Sequence, residues 1–225
     1  MHTNHTLPPY PMNTTHVCSR RQGLARMGLG VLAWVSMPAW LQAQTFEAPE
    51  ALIERVAGEV IELVKADAAL RGGDMGRIME LVDTKIMPHV NFTRMTASTV
   101  GRFWRQASPE QRQRLQEEFK LLLIRTYSGA LGQLTDQTLV LRPMRSRPED
   151  TEVVVRSELR GRGEPIQIDY RMEKTADGWK VFDINVLGIW LVETYRGQFA
   201  QEINARGIDG LIAALAERNR GTGRS

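Results

Sequence analysis

The chain reads as an α+β protein, a curved antiparallel sheet of about four strands with helices packed on its one apolar face. Three observations predict this. Residues 166–173 alternate apolar Ile166, Ile168, Tyr170 and Met172 with polar Gln167, Asp169, Arg171 and Glu173, as a strand with one wet face does. Residues 49–134 and 192–215 instead repeat their apolar residues at spacings of three and four. The order of elements is helices, then strands, then helices, which segregates the two kinds instead of alternating them as a parallel sheet requires.

Each element has its own signal. Residues 49–71 put Leu52, Val56, Val60, Leu63 and Val64 on one helix face and end at Gly72-Gly73. A second helix, about 75–87, carries Ile78, Val82 and Ile86 and stops at Pro88. A short segment follows at 94–105. Ser108-Pro109-Glu110-Gln111 predicts a helix start, with Ser108 as N-cap, Pro109 in the first turn and Gln111 closing a capping box. That helix should run to about Leu134. From Phe119 to Tyr127 it is apolar on nearly every side except Lys120 and Arg125, so it must be buried on more than one side.

Strands are expected from about Thr138 to Leu141, over 151–160 and 165–173, and where Trp179, Val181 and Asp183 alternate with Lys180, Phe182 and Ile184. Gly161-Arg162-Gly163 and Ala176-Asp177-Gly178 are hairpin turns. After Gly188 the period becomes helical, with Val192, Tyr195, Phe199 and Ile203 on one face. Gly207 fits a helix C-cap, and Asp209 an N-cap for a final helix bearing Leu211, Ile212 and Leu215.

Residues 1–43 read as an export signal, and 44–225 as a single domain. Arg20, Arg21 and Arg26 form its basic region, Met27 to Leu41 its apolar stretch, and Leu41-Gln42-Ala43 a cleavage site. The apolar stretch falls short of the roughly 20 residues that span a bilayer. Ser19-Arg20-Arg21-Gln22-Gly23-Leu24 leaves both a twin-arginine and an ordinary secretory signal open. The formal charge of +3 comes from this leader: of 29 Lys and Arg it holds three, leaving 26 to balance 26 Asp and Glu. A neutral domain gives no support to nucleic-acid binding.

The chemistry open to the exported domain is narrow. Cys18, His2, His5 and His16 all lie in the leader, so one histidine, His89, and no thiol remain. That excludes a cysteine nucleophile and a Cys/His zinc site. There is no Gly-x-Ser-x-Gly, Walker or dinucleotide-binding glycine pattern. No catalytic residue, metal or cofactor is expected, and His89 reads as a polar residue at a helix–turn boundary. An enzyme on a cone-shaped α+β scaffold would need an acid in an apolar pocket. Asp183, sharing strand parity with Trp179 and Val181, is the one choice, with Tyr127, Tyr170 or Tyr195 beside it; capping a neighbouring loop is its other role. A factor that docks partners through its charged helices is a third class. The apolar face itself has two readings, a dry core or the wall of a cavity, and periodicity does not separate them.

A resemblance does. The W-K-V-x-D strand from Trp179, the G-I-x-L-V turn from Gly188, the Y-R-x-Q-F helix from Tyr195 and the G-I-D-G-L-I close from Gly207 stand in one order. Upstream lie Ile86-Met87-Pro88-His89-Val90-Asn91-Phe92, Gly101-Arg102-Phe103-Trp104 and Ala107-Ser108-Pro109-Glu110-Gln111-Arg112. Together these resemble the MlaC, or toluene-tolerance, family over roughly residues 50 to 219. That family supplies the periplasmic phospholipid-binding component of an ABC lipid-transport system. One departure is Trp190, where the family has a small hydroxyl residue able to cap the next helix.

The resemblance implies a periplasmic carrier that shuttles phospholipid between outer and inner membranes to maintain outer-membrane asymmetry. Its implied partners are an outer-membrane lipoprotein complex and an inner-membrane ABC lipid transporter. It also implies that helices and sheet enclose a lipid cavity, for which Phe119, Leu122, Leu123, Tyr127, Ile166, Ile168, Tyr170 and Met172 are the candidate lining. Arg196 either meets a lipid phosphate at the mouth or pairs with a carboxylate, since its forked donors suit both.

Overall fold

The structure, a computed structural model, describes residues 46–221 except 133, 135, 145 and 148; the expected export signal and its cleavage site lie outside the described residues. The first predicted helix is two: α1 (Pro49–Ala66) and the single turn α2 (Ala68–Arg71). Asp67 breaks them apart. Its backbone is extended and its carboxylate accepts from the amides of Ala69 and Leu70 at 2.8 and 3.4 Å, a local bond that competes with the helix. The second predicted helix shortens to α3 (Met75–Leu81), then loosens into a π turn at Val82–Ile86 and a 3-10 turn at Met87–His89 around Pro88.

Helix α4 (Phe92–Val100), capped by the Asn91 carboxamide on the Arg94 amide at 2.9 Å, continues as a 3-10 turn to Arg105. Helix α5 (Pro109–Leu131) begins with both halves of the predicted capping box: Ser108 Oγ accepts from the Gln111 amide, and Gln111 Oε1 from the Ser108 amide. Five antiparallel strands follow in sequential order: β1 (Thr138–Leu141), β2 (Glu152–Arg160), β3 (Ile166–Thr175), β4 (Gly178–Val186) and β5 (Ile189–Trp190). β5 is the strand that the sequence reading folded into a turn; it is two residues long, paired through Asn185 with Trp190 and Val186 with Ile189.

Helix α6 (Leu191–Gly221) bends at Gly207, whose φ of 73° suits glycine, and then resumes. Gly207 thus ends one helical segment before the next begins, at the position where the helix end is predicted. Asp209 accepts from the Gln111 side chain at 2.8 Å, tying the kinked segment to the start of α5.

Three hydrophobic clusters underlie the fold, and the two that reach the sheet meet at Val90 and Ile184. Phe119 is the centre of the first, which joins α4, α5 and α6. Its ring lies 5.2 Å from Tyr195 and 5.2 Å from Phe199, both edge-on, and 5.7 Å from Phe92. The second lies under α1, where Leu52 and Ile53 meet Val155, Met172 and Val181. The predicted helical face Val192, Tyr195, Phe199 and Ile203 is buried throughout. Among the described residues, no helix is long and apolar enough to cross a membrane.

Candidate functional site

An apolar cavity of about 190 Å³ lies between α1 and the sheet. One wall is helical, with Leu52, Ile53, Val56, Ala57, Val60 and Ile61 contributed by α1 at the expected spacings. The other is the sheet, reached through Leu139, Leu159, Ile168, Tyr170, Val181 and Ile184 from four strands. Ile86, His89, Val90 and Leu134 complete its lining. Val90 forms a bridge to Val181 along the edge of β4, which fixes the turn after Pro88 against the sheet.

Only two lining side chains can hydrogen-bond. The Tyr170 hydroxyl bonds to Ser157, and burial pushes its phenol up to about 12. Ser157 in turn donates to the Ile168 carbonyl at 2.8 Å, so the polar atoms behind the wall satisfy one another. His89 is half-buried at the edge. Burial lowers its pKa, and the nearby cations Arg55 and Lys180 lower it further.

The structure divides the nine residues proposed from the sequence. Ile168 and Tyr170 line the cavity. Met172 is fully buried in the core beneath α1, and Ile166 pairs with Leu159 at the start of β3, off the wall. Phe119 and Leu122 belong to the core of α4, α5 and α6, with Leu123 and Tyr127 packed partly exposed against it. Arg196 is outside the lining; its Nε donates to the Ser98 carbonyl at 3.0 Å and ties α6 to the end of α4.

Asp183 is not where simple alternation puts it. The β3–β4 register shifts between Arg171 and Met172, leaving Phe182 without a partner. Such a bulge turns every later side chain to the other face. Val181 and Ile184 therefore both line the cavity, while Asp183 stands opposite Arg171 on the far side. There its carboxylate accepts from Arg171 Nη1 at 2.9 Å and from the amides of Ile184 and Val192 at 2.9 and 3.1 Å. Burial pushes its carboxyl above the ordinary range, opposed by these bonds. The acid that pocket catalysis would have needed is a structural cap. Among the described residues, no group of three or more His, Cys, Asp or Glu is placed to hold a metal ion.

With this geometry, residues 54–217 match the family described as MlaC protein. The chain belongs to the MlaC family. It is 26% identical over 187 residues to toluene tolerance protein Ttg2D of Pseudomonas putida, covering 83% of this chain and 86% of that one. It is 21% identical over 173 residues to the intermembrane phospholipid transport system binding protein MlaC of Haemophilus influenzae, covering 75% and 81%. Among solved structures, the phospholipid-binding protein from Ralstonia solanacearum, determined in complex with a phospholipid, aligns with a TM-score of 0.77 at 46% identity. The alignment covers 79% of this chain and 100% of that one.

MlaC membership explains the order of motifs; the local geometry explains the departure at Trp190. Its ring lies 3.9 Å under the Arg171 guanidinium, and Arg171 holds Asp183, which supplies the cap that Trp190 cannot. The sequence reading missed Arg55, His89 and Lys180 as neighbours of the cavity. No periodic signal marks His89, because residues 82–89 run through π and 3-10 turns in which α-helical spacing fails.

Proposed function

We propose that this chain is a periplasmic phospholipid carrier, which takes up lipid with its acyl chains between α1 and the sheet and releases it unchanged. The observation that carries this reading is the almost wholly apolar cavity, in a fold that 79% of this chain shares with the whole of a protein determined in complex with a phospholipid. The energetics give such a carrier its purpose. At ~0.8 kcal/mol per CH₂, exposing two chains of roughly 16 carbons to water costs on the order of 20 kcal/mol. A cavity as apolar as the bilayer makes extraction nearly neutral, so lipid moves in either direction and no bond changes. No catalytic residue is needed.

The cavity of about 190 Å³ is smaller than the roughly 300–1,000 Å³ of pockets for drug-sized ligands. Loading therefore spreads α1 from the sheet, widening the space between Val56, Val60, Ile168 and Ile184. The partners in this reading are an outer-membrane lipoprotein complex and an inner-membrane ABC lipid transporter, and the transported lipid serves outer-membrane asymmetry. The family membership and the names of the relatives support this part.

Organic-solvent extraction of the purified protein, followed by mass spectrometry, tests the reading. About one phospholipid per chain is expected. A lipid-free protein that also fails to take phospholipid from vesicles overturns it.

A further inference from the structure

We propose that the edge of the cavity at His89 is an anionic head-group site, where Arg55, His89 and Lys180 hold the phosphodiester of the bound lipid. This rests on the carrier reading and deepens it. A lipid with its chains against Ile168 and Tyr170 must bring its polar end out past some part of the lining. Tyr170 is committed to Ser157 inside the sheet. His89, half-buried, is the other lining residue with a polar side chain, and the one beside charge.

The cations flank His89 from two elements. Arg55 stands on α1 next to the lining residue Val56, and Lys180, on the outward face of β4 between Trp179 and Val181, reaches round the strand edge to the chain at Pro88, the residue before His89. Both act electrostatically on His89, as do Glu47 and Glu59. Lys180 Nζ donates to the Pro88 carbonyl at 2.6 Å, which leaves two of its three protons for a ligand.

Arg55 already displays the binding geometry. Its Nε and Nη2 meet the two oxygens of Glu47 at 3.0 and 2.8 Å, with Glu59 3.5 Å from Nη1. The two non-ester oxygens of a phosphodiester offer the same paired acceptors. Glu47 lies in the short non-helical stretch before α1, so its carboxylate is displaced without disturbing a helix. Lys85, 3.6 Å from Glu59, keeps this rim net positive once Arg55, Lys180, Glu47 and Glu59 are counted together. Arg196, by contrast, donates to a backbone carbonyl away from the lining.

Binding to the purified, delipidated protein is compared for dihexanoyl-phosphatidylglycerol, dihexanoylglycerol and chain-free glycerophosphoglycerol. The Arg55→Gln/Lys180→Gln double variant is expected to lose roughly tenfold in affinity for the phosphatidylglycerol, about one charge-assisted hydrogen bond, and nothing for the dihexanoylglycerol. Glu47→Gln, which frees the Arg55 fork, is expected to tighten the phosphatidylglycerol alone. Unchanged phosphatidylglycerol affinity in both variants overturns the site, as does equal loss of both lipids. Glycerophosphoglycerol binding as tightly as the phosphatidylglycerol overturns it in favour of a free phosphate ester. A wild-type protein that binds neither lipid removes the carrier reading first, and this site with it.

Discussion

Asp183 accepts the Val192 amide at 3.1 Å, so the first turn of α6 is closed from β4 and not from Trp190 beside it. The same carboxylate holds Arg171, whose guanidinium lies over the Trp190 ring. Sheet, turn and helix thus meet at one buried side chain, 1% exposed.

Asp183→Ala should therefore destabilise the protein by about 2 kcal/mol, since it uncaps α6 and leaves Arg171 without its buried partner. Asp183→Asn, which keeps an acceptor for Val192, should lose less. Chemical denaturation of both variants measures the difference. Equal loss would mean that the cap contributes nothing beyond the charge pair.

Phe119, enclosed among helices, and Ile168, half-buried on the cavity wall, are expected to behave oppositely. Phe119→Ala removes the ring that Phe92, Tyr195 and Phe199 surround and should cost about 3–5 kcal/mol, with bound lipid per folded molecule unchanged. Ile168→Trp fills space on the cavity wall and should abolish most lipid binding while the fold survives. Melting temperature and extracted phosphorus, measured on the same samples, decide this. Lipid loss in Phe119→Ala with lipid retained in Ile168→Trp would move the chains into the helical core.

Tyr170 supplies a pH signature. Its phenol is raised to about 12, above the ~10 of an unfolded tyrosine. A raised folded-state value means a stabilising contribution that is fully present below pH ~10 and is lost as pH climbs through about 12. The loss is of order 2 kcal/mol at 1.36 kcal/mol per pH unit. Denaturation midpoints should fall across this window and fall less in Tyr170→Phe. Absorbance titration should show a late-ionising phenol that the variant lacks.

Much of the fold was legible because its signals are local. The capping box at Ser108, the strand at β3 and the face from Val192 to Ile203 each need only neighbouring residues, and each forms as read, although Asp169, placed outward by the alternation in β3, is buried. The site was less legible because its determinants are not local. The bulge at Phe182 depends on pairing with β3, and it reverses the face of Asp183. Phe119 and Ile168 are equally apolar in sequence, and only tertiary packing assigns one to a closed core and the other to a wall. Asp67 has a local signal, a helix-breaking carboxylate, but it sits inside a strong apolar repeat that masks it.

The charged surface from Arg102 to Gln116 gives the last prediction. Arg102 lies over the Phe103 ring at 4.8 Å, and Arg112 lies over Trp104 at 5.4 Å while its Nε donates to the Trp104 carbonyl at 3.1 Å. Aromatic rings and a backbone acceptor hold these guanidinium groups in place, so less side-chain freedom is lost when a partner's carboxylates meet them. If the membrane partners of the proposed carrier dock here, affinity should weaken as salt rises, because exposed charges are screened over about 8 Å at physiological ionic strength. Reversing the charges with Arg102→Glu and Arg112→Glu should slow association more than it speeds dissociation, since steering acts on encounter. Surface plasmon resonance against the purified partners across a salt series checks both points. Salt-independent binding, with wild-type rates in the variants, would shift the dock to an apolar surface elsewhere.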